Sequence, residues 1–170
     1  MYEQVVKACE SCQRFAPAPQ RSRVSGMRAP NFGDLWFADH VDISVGQYLY
    51  HVLVVVDAAS NLIWVAPQKH KGEAETISLL MMAYDDLMAK PKALCADSYF
   101  HMEAFKRHYW THNIQPIPLG PHTPWPNRAE AAVKLFKHYA QILCDSLQRM
   151  QEETPGLKKV SVRMICRRAA

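Results

Sequence analysis

The sequence predicts an α/β fold, a mixed five-stranded sheet flanked by helices. Three observations carry that expectation. Residues 34–68 hold three strand-like segments joined by short turns. Beyond residue 70, segments of helical periodicity alternate with short extended ones. A final long segment, 127–151, shows an apolar stripe at three- and four-residue steps.

Taken in order, DLWFADHVDI (34–43) is strand-like in composition, with partly alternating apolar positions. A Gly46-Gln47 turn leads into YLYHVLVVVD (48–57), a nearly continuous β-branched and aromatic run. Such a run suits a strand buried on both faces. Residues 58–61 can turn, and LIWVAPQ (62–68) completes an antiparallel meander. In 71–90, Ile77, Leu80, Met81, Tyr84 and Met88 fall at helical spacing, acids occupy the first turn, and Lys90-Pro91 stops the helix. KALCAD (92–97) reads as a short buried strand and HMEAFKRHYWTHN (101–113) as a second helix. IQPIPL (114–119) is extended, and its prolines place it at a sheet edge. The stripe of the last helix is Val133, Phe136, Ala140, Leu143, Leu147 and Met150. Phe100, Phe105, Tyr109 and Trp110 are expected in the core. His101, His108, His112 and His138 are expected at the surface or rim, with His122 in the loop before the last helix.

At 170 residues, 49% hydrophobic and 21% charged, the chain has the size and composition of one globular domain. No stretch approaches the roughly 20 apolar residues of a membrane span, so no membrane partner is expected. The start lacks an apolar signal-peptide core. The net charge of +4 permits nucleic-acid binding without demanding it. The five cysteines give no disulfide framework. Cys95 and Cys144 read as buried thiols, and a reducing, intracellular setting is expected.

Three acids stand out by position. Asp39 lies inside the first strand, Asp97 ends the fourth, and Glu130 opens the last helix. Burying an unpaired carboxylate is costly, so acids presented from core elements suggest a shared cation. Mg²⁺ and Mn²⁺ prefer carboxylate oxygen, and a pair of them suits in-line phosphoryl displacement. Each acid also has a purely structural reading. Asp39 could be a buried acid paired with His40 or an arginine. Asp97 could cap the following helix. Glu130 could close an Asn-x-x-Glu box with Asn127.

The pattern Trp36-Phe37-Ala38-Asp39, the strand and turn YLYHVLVVVDAAS (48–60), ALCADSYFHMEAF (93–105) and PHTPWPNRAE (121–130) resemble, in order and spacing, the catalytic core of retroviral and retrotransposon integrases. The resemblance covers about residues 34–150. It implies a ribonuclease H-like fold and a catalytic, metal-binding triad of Asp39, Asp97 and Glu130 with two Mg²⁺ or Mn²⁺ ions. It further implies an endonuclease and polynucleotidyl transferase that cuts element DNA ends and joins them to target DNA, working as a homo-oligomer in the nucleus, or held in the cytoplasm before import. Asp42 is a rival first acid; Asp39 fits the W-x-x-D pattern and precedes Asp57 by 18 residues, close to the family's spacing. Three features depart from the family: a 33-residue interval from Asp97 to Glu130, Tyr99 where a glycine is common, and Arg128-Ala129 in place of the flexible glycine before the last acid. A shorter, stiffer loop is expected to lower activity or alter target choice.

At 100° per residue, Lys134 lies about 40° to one side of Glu130 and Lys137 about 20° to the other. In the family such lysines contact DNA, and Arg128 is a third candidate; the alternative is a solvated helix face with i,i+4 pairing. Cys9-x-x-Cys12 has the spacing of half a zinc site and matches the last two ligands of the family's N-terminal His-His-Cys-Cys domain. The first histidine here is His40, so both histidine ligands are missing and Zn²⁺ is not expected in this chain. The expected organisation is a zinc-module remnant at 1–12, a linker at 13–33, the catalytic core at 34–152 and a basic tail at 153–170. The chain is thus expected to begin inside a zinc module. A rival reading is a truncated or domesticated, catalytically inactive integrase-like protein that binds DNA or assembles without cutting. Another ribonuclease H-like nuclease is a third reading, which the W-x-x-D and P-x-x-P…E segments oppose.

Overall fold

A computed structural model describes residues 29–45, 48–119 and 128–153. Its elements follow the expected order: strands β1 (Leu35–Val45), β2 (Tyr48–Asp57) and β3 (Ile63–Gln68), helix α1 (Glu73–Asp86), strand β4 (Ala93–Ala96), helix α2 (Glu103–His112), strand β5 (Gln115–Pro118) and helix α3 (Arg128–Glu153). A short 3₁₀ turn, Ser98–His101, links β4 to α2. The five strands form one sheet in the order β3-β2-β1-β4-β5. The first three pair antiparallel and the last two pair parallel.

The two faces of the sheet are dry for a reason visible in β2. Val52, Val54 and Val56 face one layer and Leu53 and Val55 the other, and all five are buried. On the first face, Phe37, Val41 and Cys95 meet Ala132, Phe136 and Ala140 of α3. On the second, Trp36, Ala38 and Leu94 meet Leu79, Leu80 and Ala83 of α1 and Phe105 and Tyr109 of α2. Edge strand β5 uses its prolines as anticipated. The N–H groups of Gln115 and Leu119 donate to Lys92 and Ala96 of the β4 side at 2.8 and 2.9 Å. Pro116 and Pro118, of opposite parity, place their donor-less nitrogens on the outer edge.

Several expected core positions are revised. Helix α1 ends at Asp86, and Met88 adopts a left-handed φ of 48° that swings its side chain out to 92% exposure. Met81 is exposed as well, and the buried stripe runs through Thr76, Leu79, Leu80 and Ala83. Trp110 is 90% exposed, whereas Phe100, Phe105 and Tyr109 are buried. Met150 is half exposed. His108, expected at the rim, is buried because Tyr84 Oη lies 3.0 Å from its Nε2 and stacks on its ring.

One carboxylate ties the start of β1 to the end of β2. Asp57 Oδ2 accepts from Gly33 N–H (2.9 Å) and the Trp36 indole N–H (3.1 Å). Its Oδ1 accepts from Ala59 N–H (3.0 Å), Ser60 N–H (2.7 Å) and Ser60 Oγ–H (2.8 Å). Burial pushes this carboxyl up, but the donors from Ser60, Gly33 and Ala59 outweigh it and hold the group below its ordinary 3.8.

Replacing Asp57 by alanine strands two buried donors, Gly33 N–H and the Trp36 indole. The expected loss is roughly 2–6 kcal/mol, from about 1–3 for each, measured by urea unfolding. Because the folded carboxyl is depressed, its contribution is full above pH 3.8 and is lost as the pH falls through the lower, folded value. His108 works in the opposite range. Burial first, then the charge of neighbouring His112, hold its imidazole down to about 4 against an ordinary 6.5. The unfolded chain therefore binds the proton first, and thermal stability should decline as the pH is lowered from 6.5 towards 4. A His108→Phe variant should flatten part of that decline in melting curves recorded across the range.

Candidate active site

The register of the sheet places the two strand acids. β1 and β4 pair as Leu35↔Ala93, Trp36↔Leu94 and Phe37↔Cys95, a constant offset of 58 residues (93 − 35). Asp39 and Asp97 have the same offset (97 − 39), so each stands two residues past the last paired rung. Even spacing from Phe37 and Cys95 gives both acids the parity of the α3-covered face. Across β1, Asp39 is opposite Val54, also on that face.

Beyond the β4 pairing, local bonds take over. Asp39 Oδ1 accepts the His40 main-chain N–H at 2.8 Å, a tie that runs through the backbone. Asp97 starts the 3₁₀ turn, and its Oδ1 accepts from Tyr99 N–H at 3.0 Å. Asp97 thus caps this 3₁₀ turn and not α2, whose N-cap is Met102, and the cap engages one oxygen of an exposed carboxylate. Glu130 lies in the first turn of α3, two residues before Ala132, which packs into the core of this same face. The side chains of Glu130 and Arg128, and residues 120–127 with His122, lie outside the described residues. Cys9 and Cys12 do so as well. Among the described residues no three His, Cys, Asp or Glu side chains gather as a metal-binding group. Asp39 and Asp97 supply two carboxylates, a hard-oxygen pair of the kind Mg²⁺ and Mn²⁺ prefer.

A neutral aromatic cage lies behind the acids, and the sequence alone gave no sign of it. His40 stacks on Phe100 (centroids 5.0 Å, 17°) and meets Tyr99 edge-on at 5.1 Å. Thr76 Oγ1 sits 3.0–3.5 Å from Gly72 O, Tyr99 Oη, Gln68 Oε1 and His40 Nε2. Burial first, then the charge of Lys71, hold the His40 imidazole down to about 4, against the opposing influence of Asp97, Gln68 and Asp42. At neutral pH His40 is uncharged and brings no cation of its own to the acids. Asp42, the alternative first acid, is engaged elsewhere: His51 Nδ1 lies at 2.7 Å and Lys71 Nζ at 2.9 Å.

Lys134 and Lys137 are exposed on α3. Lys137 lines a cleft of about 210 Å³ with Asp42, Ile43, Ser44, Ala140, Gln141 and Cys144. Asp145 and Arg149 pair further along the same helix at 3.2 Å.

No protein-family model matches the sequence, and no curated protein matches it. Among solved structures it is similar to a chain of the simian T-cell lymphotropic virus intasome, determined in complex with PP2A regulatory subunit B56 gamma. That match has a TM-score of 0.70 and 19% identity and covers 98% of this chain but only 57% of the other. It is also similar to the HTLV-2 integrase catalytic core domain in complex with magnesium, in its dimeric and trimeric forms. Those matches each have a TM-score of 0.62 and 19% identity, and cover 81% of this chain and 83% and 82% of theirs. At this identity the likeness establishes the fold. The described residues have the ribonuclease H-like fold of retroviral integrase catalytic cores, a mixed five-stranded sheet flanked by three helices.

The cap bond allows the structural role of Asp97 to be measured alone. Asp97→Ala should cost roughly 0.5–2 kcal/mol, whereas Asp97→Asn, which still offers an oxygen to Tyr99 N–H, should cost little. Chemical unfolding of the two variants makes the comparison.

Proposed function

We propose that this chain, carrying the fold of a retroviral integrase catalytic core, is the catalytic part of an integrase that processes DNA ends and transfers strands for a retrotransposon. The observation that carries the reading is the common offset by which Asp39 and Asp97 each follow the last paired rung of β1 and β4 by two residues, with the parity of the face covered by the helix that Glu130 opens. Asp39, Asp97 and Glu130 would hold Mg²⁺ or Mn²⁺. Bound there, a pair of such ions supplies an activated water or hydroxyl and stabilises the entering and leaving oxygens of an in-line displacement. The magnesium complex of the HTLV-2 core, of the same fold, supports a divalent ion.

The residues of the chain take the remaining work. His40, stacked on Phe100, donates its main-chain N–H to Asp39 Oδ1 and so would help orient that carboxylate. Lys134 and Lys137 on α3, with Arg128, would hold DNA phosphates beside the acids. The dimeric and trimeric forms of the HTLV-2 core support assembly into a homo-oligomer. Among the described residues no helix is long and apolar enough to cross a membrane. The site of action would be the nucleus, reached from the cytoplasm. The proposed organisation keeps 34–152 as the core, with a zinc-module remnant and a linker before it and a basic tail after.

One observation favours the second reading, a protein that binds DNA or assembles without cutting. Tyr99 occupies the position two residues after the second acid, and its hydroxyl donates to Lys71 O at 3.2 Å. This ties the segment after Asp97 to the segment before α1 and stiffens the edge of the site.

Strand transfer with an end-mimicking duplex and Mn²⁺ or Mg²⁺ decides between them. Glu130→Gln and Asp39→Asn should each reduce product by more than about 100-fold, since even outer-shell partners of a metal cost 10–100-fold. Equal activity of wild type and Glu130→Gln would sink the catalytic assignment. An independent readout is thermal: Mn²⁺ should raise the melting temperature of the wild type, and Asp97→Asn and Asp97→Ala should lose that rise equally despite their different caps.

A further inference from the structure

The segment between β3 and α1 reads Lys69-His70-Lys71, three basic side chains in a row, all exposed. It is held firmly. Glu75 takes the main-chain N–H groups of Lys69 and His70 at 3.0 and 3.1 Å, and Tyr99 Oη donates to Lys71 O at 3.2 Å. Since Tyr99 is two residues past Asp97, this bond fixes the basic segment beside the strand end that presents the second acid. The charge of Lys71 is felt at His40, next to the first. Lys71 Nζ lies 2.9 and 3.1 Å from the two oxygens of Asp42, and His51 Nδ1 closes on Asp42 Oδ1 at 2.7 Å. Asp42 also lines the cleft that Lys137 enters from α3. One half-exposed carboxylate therefore sits between Lys71 and His51, at a β1 position whose parity is opposite to that of the α3-covered face.

We propose that Lys69 and Lys71, with His70 and His51 beside them, form a second phosphate-contact patch for duplex DNA, and that Asp42 is an internal anion standing where a DNA phosphate docks. The inference rests on the nucleic-acid reading above. Its physical basis is counterion exchange. An ammonium paired with a surface carboxylate gains little from that pair, while a phosphate contact releases condensed cations from the duplex and gains from their dilution. The phosphate is favoured at low salt, and Asp42 takes its place when DNA is absent. The patch widens the footprint from the acids and α3 across to the β3–α1 connection. It holds the backbone without reading sequence.

The test is the salt dependence of binding of a labelled blunt duplex to the full 170-residue chain, followed by fluorescence anisotropy in EDTA so that no strand is cut. The double variant Lys69→Gln/Lys71→Gln should bind more weakly and lower the slope of log affinity against log salt by about 2, about 1 per lysine. Asp42→Asn should do the reverse, tightening binding and steepening the slope, because Lys71 is released to the phosphate. Circular dichroism confirms that each surface variant is folded. An unchanged slope in the double-lysine variant, or unchanged or weakened binding by Asp42→Asn, overturns the patch. A wild type with no salt-dependent affinity for the duplex overturns it together with the nucleic-acid reading. Failure of catalysis alone appears separately, as equal strand transfer by wild type and Glu130→Gln while the slopes still shift as stated.

Discussion

The buried carboxylate of Asp57 is the constraint on which the arrangement of the site depends. It gathers Gly33 ahead of β1, the indole of Trp36 inside β1 and the turn residues Ala59 and Ser60 after β2. Trp36 is also the cross-strand neighbour of Asp57. One group thus fixes where β1 begins relative to where β2 ends, and a one-residue slip would break its bonds to Gly33 and Trp36. Register decides which face each β1 side chain meets. The position of Asp39 opposite Val54 and facing α3 follows from a hydrogen-bond cluster at the start of the strand.

The second constraint is the uncharged packing behind the acids. His40 is neighbour in sequence to Asp39, and a charged imidazole there would compete with any cation for the carboxylates. Enclosure by Phe100, Tyr99 and Thr76 keeps the ring neutral. The same enclosure links β1, the turn after β4 and the start of α1 through the Tyr99 hydroxyl, which meets both Thr76 and the Lys71 carbonyl. The tyrosine that departs from the family's glycine is in this way part of the site's framework.

What the sequence revealed and what it hid divide along physical lines. The meander was legible because β2 is a nearly continuous β-branched and aromatic run, and the edge position of β5 because Pro116 and Pro118 cannot donate on a paired side. Asp39 and Asp97 were singled out by motif spacing and resemblance. Met88 and Trp110 misled because apolar character was taken for burial: a left-handed turn ejects the first, and α2 holds the second outward. Thr76 and His108 were missed for the converse reason. Their burial is secured by the hydroxyl of a tyrosine distant in sequence, Tyr99 for one and Tyr84 for the other, which periodicity does not register. The cage around His40 is of the same kind, assembled from three separate segments.

The equal offset of β1 and β4 also says how such a site can change over generations. The connections that join β1 to β4 by way of β2, β3 and α1 can lengthen or shorten without moving either acid, because the ladder between the two strands, and not the length of chain separating them, fixes the Phe37–Cys95 rung two residues before each acid. Within the few residues from Trp36 to Asp39, or from Leu94 to Asp97, a single insertion would turn a carboxylate to the opposite side of the sheet, among Leu80, Phe105 and Tyr109. Tolerance to length variation is therefore spread over most of this molecule and withdrawn from two short stretches of strand.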